Sequence, residues 1–102
     1  MTTDIGISTQ EQAIITSIIE QIIPQYAVYA FGSRVTHTAR AYSDLDIVIM
    51  SDEPLSLWVL AQLKAAFDDS ALTYPVDVSG WADLSDEFQV RIQADLRLLY
   101  TP

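Results

Sequence analysis

In the stretch FGSRVTHTARAYSDLDIVIM, residues 31–50, Asp44 and Asp46 stand one residue apart at the mouth of an apolar run. A Gly32-Ser33 pair precedes them by ten residues. Carboxylates are costly to desolvate, so two of them at the start of a buried strand need a reason. In a strand, residues two apart face the same side and lie about 6.5–7 Å apart. A third acid, Asp77, sits in an equally apolar setting, Val76-Asp77-Val78. If the two strands are neighbours, ~4.8 Å apart, three carboxylates converge and raise one another's pKa by repulsion. One or two divalent cations relieve that repulsion. Oxygen-only ligands in a chain without cysteine suit Mg²⁺ or Mn²⁺ rather than Zn²⁺. Gly32 supplies the other half, since a glycine after a strand lets backbone N–H groups come close to a phosphate. The Ser33 hydroxyl and the first amides of the following turn can donate to it. Arg34 and Arg40 can add charge or forked hydrogen bonds.

Each feature also has a plainer reading. Asp44 and Asp46 alone suit a solvated strand mouth or helix caps. Gly32-Ser33 alone suits a turn, and Asp77 suits a charge that protects a sheet edge. Arg40 suits a surface ion pair, Tyr42 suits packing as well as base stacking, and His37 reads as a surface loop residue. Asp68-Asp69 and Asp83/Asp86/Glu87 read as solvated helix ends and caps. The GS-to-DLD spacing together with Asp77 favours the metal site.

These residues must be positioned by regular elements. STQEQAIITSIIEQIIP (8–24) reads as a helix, with Ser8 or Thr9 as cap and Glu11 or Gln12 three residues on. Ile14/Ile18/Ile22 and Ile15/Ile19/Ile23 give it a wide apolar face, and Pro24 ends it. YAVYAF (26–31) and DLDIVIM (44–50) read as strands. The next helix is expected to start at Ser51 or Asp52, with Pro54 near its first position. Leu60, Leu63 and Phe67 form its stripe, and Trp58 reads as core. A third strand lies around Val76–Val78 and ends at Gly80, and Trp81 reads as core or interface anchor. Ser85 caps a last helix with Phe88, Ile92 and Leu96 as its stripe. The expected fold is α/β, a small sheet of about three strands flanked by helices.

The chain has 102 residues, half of them hydrophobic and 19% charged. One domain over 1–102 is expected. No basic-then-apolar leader opens it and no apolar run reaches membrane-spanning length, so a cytoplasmic protein is expected. Fourteen acidic and five basic residues give a net charge of −9. Such a surface repels nucleic acid and anionic membranes and attracts a basic partner.

The GS pair, ten residues and then DLD match the G-S-x10-D-x-D signature of the polymerase-β-type nucleotidyltransferases. FGSR…AR…SDLDIVI resembles the minimal nucleotidyltransferase (MNT) domains of that superfamily. The resemblance runs from the first helix through Asp77 and weakly to RLLY (97–100). It implies a sheet of mixed strand direction. It also implies that Gly32 and Ser33 hold the β- and γ-phosphates of ATP, with Arg34 and Arg40 beside them. Asp44, Asp46 and Asp77 are then the catalytic residues and the ligands of two Mg²⁺ ions. Asp77 takes the proton of an acceptor hydroxyl that receives AMP. Larger members hold the acceptor on an added helical domain, so here a partner is expected to bring it. Bacterial MNT proteins are typically antitoxins of HEPN-domain ribonuclease toxins. The resemblance therefore implies adenylylation of a tyrosine on a basic, helical HEPN partner, in a hetero-oligomer. Two alternatives are a subunit acting on an aminoglycoside-like small molecule and an antitoxin that acts by binding alone. His37 departs from the pattern, which often has glycine there.

Overall fold

The protein was analysed as a computed structural model that describes residues 6–36 and 43–102. Helix α1 spans Thr9–Ile22. Ser8 caps it in a reciprocal box, its Oγ accepting from Glu11 N–H at 3.1 Å while its own N–H donates to Glu11 Oε1 at 2.7 Å. Strands β1 (Val28–Phe31) and β2 (Leu45–Ile49) follow, then α2 (Leu57–Asp68) and β3 (Val76–Gly80). A single 3₁₀ turn at Trp81–Asp83 leads to α3 (Asp86–Gln93) and β4 (Arg97–Tyr100). The sheet order is β3-β2-β1-β4. β1 is antiparallel to both β2 and β4, whereas β2 and β3 are parallel. A parallel pair requires a crossover, and α2 provides it. The sheet thus has mixed direction, with four strands where about three were expected. The fourth is RLLY, too short and too close to the last helix to announce itself by alternation.

The sheet is covered on both faces. Val28 and Ala30 of β1, Leu45, Ile47 and Ile49 of β2, Val76 of β3 and Leu99 of β4 pack with Ile15, Ile18 and Ile19 of α1 and with Leu63 and Phe67 of α2. The opposite face carries Tyr29, Phe31 and Val48 against Phe88 and Ile92 of α3. Phe31 and Phe88 meet edge to face with centroids 5.8 Å apart. The period-2 alternation along β2 puts Leu45, Ile47 and Ile49 under α1 and α2, and Asp46 and Val48 on the α3 side. Among the described residues no helix is long and apolar enough to cross a membrane.

Two expectations for the second helix fail together. Ser51 and Asp52 do not cap it. Ser51 is buried and its hydroxyl donates to the Glu53 carbonyl at 2.8 Å, closing a turn. The cap is Ser56, which accepts from Val59 N–H at 3.1 Å. With the start moved to Leu57, Trp58 falls in the first turn on the outer side and is 72% exposed instead of core. The buried stripe runs through Leu63 and Phe67, with Val59 and Ala66 partly buried beside it. Trp81 packs, partly buried, on the α3 face of the sheet.

Candidate active site

Gly32 directly follows β1 and has φ 85°, a left-handed conformation that L side chains rarely adopt. Space forbids a side chain too. A Cβ on Gly32 would collide with the Asp46 carboxylate, with Asp46 Cγ at 3.2 Å and Cβ at 3.4 Å. The glycine therefore lets the backbone pass against the second aspartate of the D-x-D pair. Beyond it the chain turns helically, the Gly32 carbonyl accepting from Val35 N–H at 3.0 Å and Thr36 N–H at 3.1 Å. Ser33, half-buried, opens this turn.

Phe31 pairs with Asp46 across β1 and β2, and Asp46 pairs with Asp77 across β2 and β3. The register of a parallel pair thus brings the two carboxylates side by side on the α3 face. Burial first, then the charges of Asp77 and Asp44, then a hydrogen bond to Asp77 push the Asp46 carboxyl up to about 6. Asp44 is exposed one residue before β2 and reaches Asp46 through its charge. Among the described residues no three carboxylate or imidazole groups close around a single metal position. The structure therefore joins Asp46 and Asp77 directly and leaves Asp44 at the rim. Hard oxygen donors whose mutual repulsion raises a pKa suit a divalent cation. Mg²⁺ commonly takes one or two carboxylates and completes its shell from phosphates and water. The donor set fits such an ion.

Gly32, Asp46 and Asp77 form one wall of a cleft of about 660 Å³. The other wall comes from the 3₁₀ turn and α3, through Asp83, Ser85, Phe88, Arg91 and Asp95. Four aspartates and one arginine line the cleft, so a polyphosphate entering it meets net repulsion unless cations come with it. Sequence reasoning missed this second wall. Asp83, expected to be a solvated end, lines the cleft. Phe88 and Arg91 are three apart on α3, the spacing of one helix face. That spacing was the available signal, since Phe88 was already assigned inward.

Arg34, expected beside the phosphates, is 6% exposed and its guanidinium is engaged with the fold. Nε and Nη2 both donate to the Ser43 carbonyl, at 3.0 and 2.9 Å, and Nη1 donates to the Gly6 carbonyl at 2.8 Å. The group stacks on the Tyr74 ring, 3.8 Å from its centroid. Arg40, His37 and Tyr42 lie outside the described residues.

Comparison with known proteins bears on the family and the fold. A family model described as "Polymerase beta, Nucleotidyltransferase" matches residues 5–102. The chain is 45% identical over 85 residues to a probable protein adenylyltransferase MntA of Haemophilus influenzae (strain Rd), covering 83% of this chain and 75% of that protein. Among solved structures, a toxin–antitoxin crystal structure with AMP-PNP superposes with TM-score 0.74 at 23% identity, over 89% of this chain and 73% of that one. A tri-AMPylated Shewanella oneidensis HEPN toxin in complex with MNT antitoxin gives a TM-score of 0.66 at 19% identity, over 89% and 70%. A crystal structure of the toxin-antitoxin MntA-HepT gives 0.69 at 18%, over 93% and 74%. At such identities the likeness is one of fold.

Proposed function

The chain belongs to the polymerase-β nucleotidyltransferase family, and we propose that it transfers AMP from ATP to a tyrosine hydroxyl of a HEPN ribonuclease toxin, neutralising it. The observation that carries the reading is the in-register Asp46–Asp77 pair seated against Gly32 at one wall of the cleft. The choice of a protein acceptor is supported by the relative named as a protein adenylyltransferase. The toxin as partner is supported by neighbours of like fold that are toxin–antitoxin complexes. The net charge of −9 favours a cationic partner over RNA itself.

Gly32 and Ser33 receive the β- and γ-phosphates, because only a residue without a side chain lets the backbone lie so close to Asp46. Asp46 and Asp77, with Asp44 at the rim, would hold Mg²⁺ or Mn²⁺, which would supply the charge that lets a triphosphate approach carboxylates and would make the acceptor hydroxyl more acidic. Asp77 lies on the open edge strand, where an incoming hydroxyl reaches it, and accepts the tyrosine proton. The tyrosine oxygen bonds to the α-phosphorus as the bond from that phosphorus to the bridging oxygen breaks. Pyrophosphate leaves, and AMP stays on the tyrosine as a phosphodiester. The added bulk and negative charge repel RNA from the toxin's groove and outlast dissociation of the two proteins.

The test incubates the protein with Mg²⁺ and α-³²P-labelled ATP in a lysate of its host. Label on one protein band, held by a tyrosine, is expected. Label on a small molecule points to the aminoglycoside-like reading, and no label anywhere points to neutralisation by binding alone.

A further inference from the structure

We infer that Arg34 is a positioning residue for the cation site, holding together the three segments that carry the site's groups without touching the nucleotide. The inference rests on the reading of Asp46 and Asp77 as cation ligands. Arg34 itself belongs to the turn that Gly32 and Ser33 open. Its Nε and Nη2 grip the carbonyl of Ser43, the residue immediately before Asp44. Its guanidinium face lies on Tyr74, three residues before Asp77. So one side chain, rooted in the phosphate turn, contacts the entry to β2 and the entry to β3. The last two are also joined directly, Leu45 N–H donating to the Pro75 carbonyl at 2.9 Å. The fourth contact ties down the start of the chain. Nη1 donates to the Gly6 carbonyl at 2.8 Å while Gly6 N–H donates to the Arg34 carbonyl at 3.0 Å.

Only a guanidinium meets all these demands. It presents donors on three nitrogens in one plane and keeps a flat face for stacking. A lysine ammonium has no flat face and cannot reproduce the fork. The position is 6% exposed, and carbonyl dipoles and the ring face lie against the charge there. Loosening this hub lets the Asp44–Asp46 strand mouth and the Asp77 strand shift against the Gly32 turn. Groups that orient ligands in this way typically govern metal affinity by about 10–100-fold.

The experiment measures Mn²⁺ binding to the nucleotide-free protein by electron paramagnetic resonance, and separately the melting temperature in EDTA. The proteins are wild type, Arg34→Lys, Tyr74→Leu, Tyr74→Phe and Asp46→Asn. The Tyr74 hydroxyl is buried with no hydrogen-bond partner among the described residues, so Tyr74→Phe keeps the stacking face and should bind Mn²⁺ as wild type does. Arg34→Lys, measured well below its own melting temperature, should bind Mn²⁺ about tenfold more weakly or worse. Tyr74→Leu should fall between, which keeps the test intact should Arg34→Lys not fold. Wild-type Mn²⁺ affinity in Arg34→Lys and Tyr74→Leu, with only the melting temperature lowered, overturns the inference and leaves the metal reading standing. Unchanged Mn²⁺ affinity with a raised KM for ATP returns Arg34 to the phosphates. Failure of the wild type to bind Mn²⁺ any better than Asp46→Asn overturns the metal reading itself, and this inference with it.

Discussion

Replacing Asp46 by asparagine should stabilise the metal-free protein at neutral pH. Burial and the charges of Asp77 and Asp44 push the Asp46 carboxyl from 3.8 up to about 6. Between those two values the folded protein binds more protons than the unfolded chain, so stability falls as pH rises through that window. Below it the carboxyl is protonated in both states and carries no penalty; above it the penalty is complete. A shift of about two units corresponds to at most ~3 kcal/mol. Asp46 is only half-buried, and solvent screening reduces this to about 1 kcal/mol. Asparagine has the same shape, carries no charge and can donate its amide N–H to Asp77. Thermal melts in EDTA at pH 7.5 should therefore show Asp46→Asn melting about 5 °C above wild type. At pH 3.5 the difference should vanish. Millimolar Mg²⁺ should then raise the wild type more than the variant, because only the wild type gains binding energy in full. A variant less stable than wild type in EDTA at pH 7.5 would refute the reasoning, since Asp46 would then be holding the fold. A stabilisation equal at both pH values would show that charge is not its cause.

Three further outcomes follow from the same geometry. Calorimetry should show ATP binding with Mg²⁺ and none in excess EDTA, because the phosphates otherwise face the cleft's aspartates uncompensated. Asp77→Asn should keep some ATP binding and lose most transfer, its proposed work being mainly on the acceptor side; transfer at the wild-type rate removes Asp77 from the site. Gly32→Ala should lose about 1–3 kcal/mol in urea unfolding from its φ of 85°, and should lose ATP binding as Asp46 is displaced.

Much of this was legible in the residues because the local rules agreed with one another. Ser8 with Glu11, the isoleucine stripe and Pro24 each pointed to the same first helix, and α1 lies there. The two-residue spacing of Asp44 and Asp46 predicted a shared face, and the pairing of Asp46 with Asp77 required only that their strands be neighbours, which they are. The second helix was less legible because Ser51, Asp52 and Ser56 are all good caps by type. Tertiary burial of Ser51 decides among them, and the choice moves Trp58 to the surface. Strand β4 was obscured because Arg97 and Leu98 are exposed and only Leu99 is buried, so no alternation long enough to read remains. The hold of Arg34 on the fold was hidden for a related reason. An arginine beside a phosphate turn reads as a ligand until the positions of Ser43, Gly6 and Tyr74 are known. The second wall of the cleft depends on how α3 crosses the sheet; the Phe88/Arg91 spacing gives the helix face but not where that face lies.

AMP attached by this chain to a tyrosine of its HEPN partner would stay on that partner after the two separate. The direct measurement is the intact mass and ribonuclease activity of that partner, repurified after incubation with this protein and Mg²⁺-ATP, with the modified residue mapped by peptide fragmentation. A mass raised by one or more adenylyl units on tyrosine is expected, with ribonuclease activity that stays lost once this protein is removed. An unmodified mass with activity fully regained would contradict it, leaving an antitoxin that works by binding alone.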